Sequence, residues 1–246
     1  MVILFKILFI IVYISMIATN FLANSLPFFG RTTGEVSAKY PTLFTPSGFT
    51  FSIWGIIYLL LGVLVINLVL MSNQDFSQLS NVFIIAVLIS FILNGLWLVF
   101  WHSDHQLLAT IVIVGYLVSL IFASLYAPKD MLIYRVAIDV NLAWISVATI
   151  ANISILLYAS NINLLFSDRV YFITILIVGV LLVTLALTTQ GTIVFGLVFI
   201  WAYFGILMRY ISEENSLLYT VSGITLLCLI GLTLITYISN NFSLYK

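Results

Sequence analysis

Two groups of side chains in this sequence have types and spacings that could do acid–base or metal chemistry. The first is Asp139, a carboxylate inside a long apolar run, with Arg135 one helical turn earlier on the same face. Burying a carboxylate among apolar groups is costly unless it is paired, so we expect an Arg135–Asp139 ion pair. The pair could be structural, near a helix end, or part of a proton relay, and the structural interpretation is favoured.

The second group, His102, Asp104 and His105, lies in a short polar stretch between two apolar runs. Two histidines three residues apart could suit a metal ion, but a metal site needs further ligands and none is evident. A solvated turn without a metal is favoured. The sequence also lacks a nucleophile elbow, a phosphate-binding glycine loop and a metalloprotease motif. We therefore expect no catalytic residue, no cofactor and no enzymatic activity.

The composition of the sequence indicates which kind of secondary structure must hold these side chains in place. Hydrophobic residues make up 63% of the 246 residues and charged residues only 7%, whereas a soluble domain carries about 25% charged residues. Only helices or closed barrels satisfy their backbone groups within lipid. The apolar runs are unbroken and do not alternate as barrel strands would, so the fold class is an all-α integral membrane protein. The expected partner is the lipid bilayer, and the lack of a basic run argues against nucleic acid.

Eight segments are long and apolar enough to cross a bilayer, which requires about 20 residues each. Lysines and arginines divide four against four between the two sides, so the sequence does not predict an orientation. The one long connection, 24–48, could be a lid or a plain surface loop. Cys228, inside the last run, is expected to be a small packing residue. The predicted spans are 2–23, 49–71, 80–101, 106–126, 131–158, 169–188, 191–210 and 216–238.

Three of these spans each carry one helical face that mixes aromatic, amide and small residues. Amides facing lipid would have no hydrogen-bond partners, so these faces should point into the bundle. Two interpretations remain open: the amides could hold helices together, or the faces could converge on a pocket for a flat, mostly apolar ligand. The faces contain Phe51, Trp54, Gly55, Tyr58 and Gly62; Ser90, Asn94, Trp97 and Trp101; and Asn141, Trp144, Ala148 and Asn152.

Motifs on the same three spans match a known pattern. Residues 44–54 (FTPSGFTFSIW), followed by Tyr58, form a proline–aromatic–tryptophan entry to the second span. Asn94 and Trp97 form an Asn-x-x-Trp motif in the third span, and residues 142–152 (LAWISVATIAN) carry Leu-x-Trp, Ala-Thr and Asn in the fifth. In this order the motifs resemble the tryptophan-rich sensory protein (TspO/MBR, translocator protein) family.

The resemblance covers roughly residues 1–158 and implies a five-helix bundle whose pocket is covered by the loop 24–48. It implies that Trp54, Asn94, Trp97, Trp144 and Ala148 line that pocket. Together with the helical faces, it gives eight candidate ligand-binding residues: Trp54, Tyr58, Asn94, Trp97, Asn141, Trp144, Ala148 and Asn152.

The sequence also departs from the family pattern. Val140 and Asn141 replace the Pro-Tyr that precedes the fifth-helix tryptophan motif, and residues 159–246 add three helices not found in the five-helix members. We therefore predict two domains, 1–158 and 159–246. Family members are often dimers, so a homodimer is among the expectations.

Family members bind porphyrins, sterols and related ligands, so we expect this protein to bind a flat hydrophobic molecule, tetrapyrrole- or isoprenoid-like, in sensing or ligand handling. One alternative is a transporter or permease subunit, with Asp139 and Arg135 lining a polar pathway and Asp139→Asn abolishing flux. Another is a membrane-embedded enzyme acting on an isoprenoid or porphyrin, which would need a carboxylate or histidine within the aromatic pocket. Asp139 is predicted to face away from that pocket, and a structure that placed it beside Trp144 would favour this alternative.

Overall fold

The computed structural model describes residues 1–25, 30–40, 42–160 and 167–246. In these ranges the chain is helical, without strands, and eight helices are long and apolar enough to cross a membrane. The predicted all-α membrane fold with about eight spans is therefore confirmed. The long helices are α1 (Val2–Ser25), α3 (Ile53–Leu70), α5 (Asn81–His102), α6 (Gln106–Leu125), α7 (Leu132–Ala159), α8 (Asp168–Gln190), α9 (Ile193–Ser212) and α10 (Ser216–Ser239).

Shorter helices interrupt two of the connections. Helix α2 (Thr33–Ala38) begins with a capping box, in which the Thr32 hydroxyl accepts from the Glu35 backbone and the Glu35 carboxylate accepts from Thr32. Helix α4 (Asn73–Gln78) follows α3, and a 3₁₀ turn over Gly48–Ser52 leads into α3. The connection 24–48 thus contains an ordered helix, and its residues 26–29 and 41 lie outside the described ranges.

Contacts divide the chain into two compact units. The first comprises Met1–Tyr40 and Ile53–Ala159, and the second comprises Pro41–Ser52 and Ser160–Lys246. The segment before α3 is therefore grouped with the C-terminal helices. The division into domains at residue 158 stays a prediction.

In the first unit, α5 packs against α1 and α6, while α7 packs against α3 and α6. A face of small residues on α6, formed by Gly115, Ser119 and Ala123, contributes to this packing. Ser119 and Ala123 are buried, and a Cβ at Gly115 would lie 3.5 Å from Leu93. Small side chains let the α6 backbone approach its neighbours closely.

In the second unit, α9 packs against α8 and α10 and also binds the segment that precedes α3. Trp201 Nε1 donates to the Thr50 carbonyl at 2.9 Å. The Gly205 carbonyl accepts from the Ser47 backbone at 3.1 Å, and a side chain at Gly205 would collide with Thr50. Glycine at 205 thus permits a backbone contact that no larger residue could make without rearrangement.

Apolar side chains cover much of the outer surface, as expected where helices face lipid rather than water. Cys228 is among the exposed residues of α10. The prediction that Cys228 is a packing residue was wrong, because its side chain is exposed and not buried between helices.

Candidate functional site

A cluster of four tryptophans and one tyrosine occupies the first unit. Trp54 of α3 stacks on Tyr58, with ring centroids 5.5 Å apart, and on Trp97 of α5 at 6.1 Å. It meets Trp144 of α7 edge-on at 6.2 Å, and Trp101 lies 5.6 Å from Trp97. Trp97 and Trp144 are buried, whereas Trp54 and Tyr58 are only partly so. We call these five residues the tryptophan cluster.

A chain of hydrogen bonds lies next to this cluster and takes one side chain from each of five helices. Tyr58 of α3 donates to Asn20 Oδ1 of α1, and Asn20 Nδ2 donates to Asn94 Oδ1 of α5 at 2.7 Å. Asn94 Nδ2 lies 3.5 Å from the Tyr116 hydroxyl of α6. That hydroxyl in turn donates to Asn141 Oδ1 of α7 at 2.9 Å. Buried amides are thereby paired across helices, as a membrane interior requires.

Asn152 connects α7 to the aromatic residues directly. Its Oδ1 accepts from Trp97 Nε1 at 3.1 Å, and its Nδ2 donates to the Ala148 carbonyl one turn earlier. This places the Ala148 backbone in the same hydrogen-bonded region. The amide of Asn152 therefore fixes the plane of one ring of the tryptophan cluster.

Asn141 ends the hydrogen-bond chain with an unused donor. Its side chain is fully buried, and its Nδ2 has no hydrogen-bond partner among the described residues. The amide nitrogens of Asn20, Asn94 and Asn152 all donate. The Asn141 amide is thus the exception within this network.

The short helix α2 is attached to the end of α5. Trp101 Nε1 donates to the Thr33 carbonyl at 3.3 Å, and the Thr33 hydroxyl lies 3.3 Å from His102 Nε2. Beyond α2, Lys39 and Tyr40 both bind the Asp104 carboxylate. The loop that the resemblance assigns as a lid is held at one end of the helix that carries two residues of the tryptophan cluster.

Asp104 is the anchor of this attachment. Partial burial raises the pKa of its carboxyl group, but hydrogen bonds from Lys39, Tyr40 and Gln106 outweigh that effect and lower the pKa to about 2. The pKa of Lys39 shifts in the opposite direction, because its hydrogen bond to Asp104 stabilises the charged form and raises the pKa. The turn predicted to be merely solvated therefore also binds the loop.

The histidines of that turn bind protein groups. His102 Nδ1 lies 2.8 Å from the Leu98 carbonyl, and His105 Nδ1 lies 3.0 Å from the Ser103 hydroxyl. Within the described residues, no group of three or more His, Cys, Asp or Glu side chains is arranged to hold a metal ion.

Asp139 is buried in α7 and accepts a 2.7 Å hydrogen bond from the Ser124 hydroxyl of α6. Ser124 lies two turns after Tyr116 along α6. The Arg135–Asp139 ion pair stays a prediction, and so does its role.

All eight candidate ligand-binding residues belong to the first unit. Seven of them are connected to another of the eight, either by a direct contact or by hydrogen bonds through Asn20 or Tyr116. The eighth, Ala148, takes part through its backbone carbonyl. Asn20 and Tyr116 were not predicted. Asn20 is the one Asn or Gln residue in the predicted span 2–23, and only that isolation could have drawn attention to it.

Comparison with known proteins extends the resemblance noted from the motifs. A family model described as TSPO-like protein matches residues 6–237, so the match continues through the helices of the second unit. Comparisons with curated proteins and with solved structures found no match. Because the family model covers most of the sequence, including all three motif-bearing helices, the chain belongs to the TSPO-like protein family.

Proposed function

We propose that this membrane protein binds a flat, largely apolar molecule, such as a tetrapyrrole, against the tryptophan cluster and handles or senses it without a covalent step. The observation that carries the proposal is the arrangement around Trp54, which stacks on Tyr58 and Trp97 and meets Trp144 edge-on. Trp54 and Tyr58 retain accessible surface, whereas the two rings behind them are buried.

The chemistry of the cluster suits such a ligand. Aromatic faces offer a large apolar contact area and prefer offset or edge-on partners, which a planar macrocycle can provide. Ligand sites combine apolar walls with a few fixed polar groups, and the amides of Asn94, Asn141 and Asn152 supply such groups here. A hydrophobic ligand would also concentrate in the surrounding bilayer.

The test is a titration of the detergent-purified protein with protoporphyrin IX, followed by tryptophan quenching and by the shift of the porphyrin Soret band. Wild-type protein should bind saturably at micromolar concentration or below. Trp54→Leu removes the central ring and should weaken binding about two- to twelvefold, because one aromatic contact is worth about 0.5–1.5 kcal/mol. The Soret readout does not depend on the number of tryptophans.

Trp201→Leu is the matched control, because Trp201 belongs to the second unit and the substitution is the same. It should leave porphyrin affinity unchanged. Linear, unsaturable changes that are equal in all three proteins would mean partition into the micelle and would refute the proposed function.

A further inference from the structure

Asn141, which carries the free donor, lies on the same face of α7 as Trp144, the member of the tryptophan cluster that α7 contributes. Asn141 and Trp144 are three residues apart, which places their Cα atoms about 4.5 Å apart along the helix axis and about 60° apart around it. Trp144 contacts Trp54 edge-on. A group that receives a hydrogen bond from Asn141 would therefore lie next to the ring system proposed to hold the ligand.

The orientation of Asn141 is fixed by its neighbour. The Tyr116 hydroxyl donates to Asn141 Oδ1 at 2.9 Å, so the amide cannot rotate without losing that bond. This leaves Nδ2 as a buried donor without a hydrogen-bond partner among the described residues. A buried amide donor without a partner is energetically costly, so a ligand that supplies an acceptor gains affinity over one that does not.

We propose that Asn141 is a specificity-determining residue, whose Nδ2 donates a hydrogen bond to a carbonyl or carboxylate oxygen on the edge of the bound ligand. This inference rests on the proposed function, because the body of the ligand stacks on the tryptophan cluster. The ligand class is then a planar apolar molecule with at least one peripheral oxygen acceptor. Tyr116 is the residue that positions the Asn141 amide.

The experiment compares three porphyrins that share one ring system and differ at the edge. Mesoporphyrin IX carries carboxylates, its dimethyl ester carries uncharged carbonyl acceptors, and etioporphyrin carries only alkyl groups. Wild-type protein should bind the first two about tenfold more tightly than etioporphyrin, as expected for one buried hydrogen bond. Asn141→Leu should bind all three with nearly equal affinity, close to that of wild-type protein for etioporphyrin.

Asn67→Leu is the matched control, since Asn67 is an exposed residue of α3 whose amide donates to the Val63 carbonyl one turn earlier on its own helix. It should keep the tenfold preference. A second measurement uses wild-type protein alone, in case Asn141→Leu does not fold. The infrared carbonyl stretch of the bound dimethyl ester should move to lower frequency than in detergent, as it does on accepting a hydrogen bond.

The outcomes separate this inference from the proposed function. If all three porphyrins bind wild-type protein with equal affinity, or if Asn141→Leu still prefers the two porphyrins with oxygen acceptors, Asn141 does not donate a hydrogen bond to the ligand. Water then satisfies its donor. An unshifted carbonyl stretch in the bound ester would overturn the inference in the same way. In those cases the tryptophan cluster still binds porphyrin. If none of the three binds saturably, the proposed function itself fails.

Discussion

At the scale of single residues, the first unit is organised by side chains that must find partners because lipid offers none. Tyr116 illustrates the point, since its fully buried hydroxyl lies between Asn94 and Asn141 and so connects α5, α6 and α7. Removing one member of such a network leaves its neighbours unsatisfied in a medium of low polarity. The residue should therefore contribute to stability as well as to the orientation of Asn141.

We expect Tyr116→Phe to lower the free energy of unfolding by about 1–2 kcal/mol, because interhelical hydrogen bonds in membranes are individually modest. Denaturation in mixed micelles, followed by circular dichroism, measures the change. Tyr126→Phe, the same substitution at a side chain that is 48% exposed, should have no measurable effect. Equal stability of the two variants would show that the hydrogen-bond chain does not stabilise the bundle.

Sequence patterns could predict part of this network. Helical periodicity placed Asn94, Trp97 and Asn141 on inward-facing surfaces, because an unpaired amide facing lipid is too costly. It could not predict that Asn20 and Tyr116 connect them. Those bonds join residues 74 and 25 positions apart, and a helical wheel contains no information about the rotation of one helix against another.

At the scale of elements, helix α2 is held against the end of α5 by specific contacts and is not a free loop. We call these contacts the α2 latch. It is too short to be stable alone, and its capping box and its contacts with the end of α5 hold it in place. Asp104 binds both Lys39 and Tyr40, at sequence separations of 65 and 64 that no local pattern could show. For the same reason the sequence did not predict that α9 would bind residues 42–52.

Asp104→Asn should weaken the α2 latch, because it changes the carboxylate that binds Lys39 and Tyr40. We expect the backbone amides of residues 33–40 to exchange with deuterium several-fold faster at neutral pH, because the charged acceptor for Lys39 is lost. Asp130→Asn, at an exposed position in the connection between α6 and α7, should not change their exchange. Unchanged protection in Asp104→Asn would mean that the contacts of Thr33 hold α2 without the carboxylate.

The same latch should respond to acid. The pKa of Asp104 is lowered from 3.8 to about 2, so its contribution is fully present above about pH 4 and is lost as the pH falls through about 2. Glu35 also has a lowered pKa, because it accepts hydrogen bonds from Thr32, and acid should weaken its contribution to α2 as well. Comparing wild-type protein with Asp104→Asn at neutral pH, where Glu35 stays ionised in both, therefore isolates the contribution of Asp104.

At the scale of the whole molecule, the spans are the property that the sequence predicted best. Every predicted boundary lies within two residues of the corresponding membrane-spanning segment, counting the 3₁₀ turn before α3 as part of its span, because the length of each apolar run is set by the thickness of the bilayer. The sequence does not predict the orientation of the protein in the membrane. Orientation depends on an excess of Lys and Arg on one side. The chain has eight Lys and Arg residues, and the predicted spans divide them equally between the two sides.

The number of spans nevertheless predicts relative sidedness. The shortest spans have 20 residues, about 30 Å of helix, which is enough to cross the hydrocarbon core. Three spans, α7, α8 and α9, separate Asp130 from Glu214, so these residues should lie on opposite sides. In a Cys228→Ala background, single cysteines made by Asp130→Cys and Glu214→Cys should react with a membrane-impermeant maleimide from opposite faces of sealed vesicles. Labelling from one face would mean that one of the three helices does not cross, and the two-residue connection between α8 and α9 would then be the first place to look.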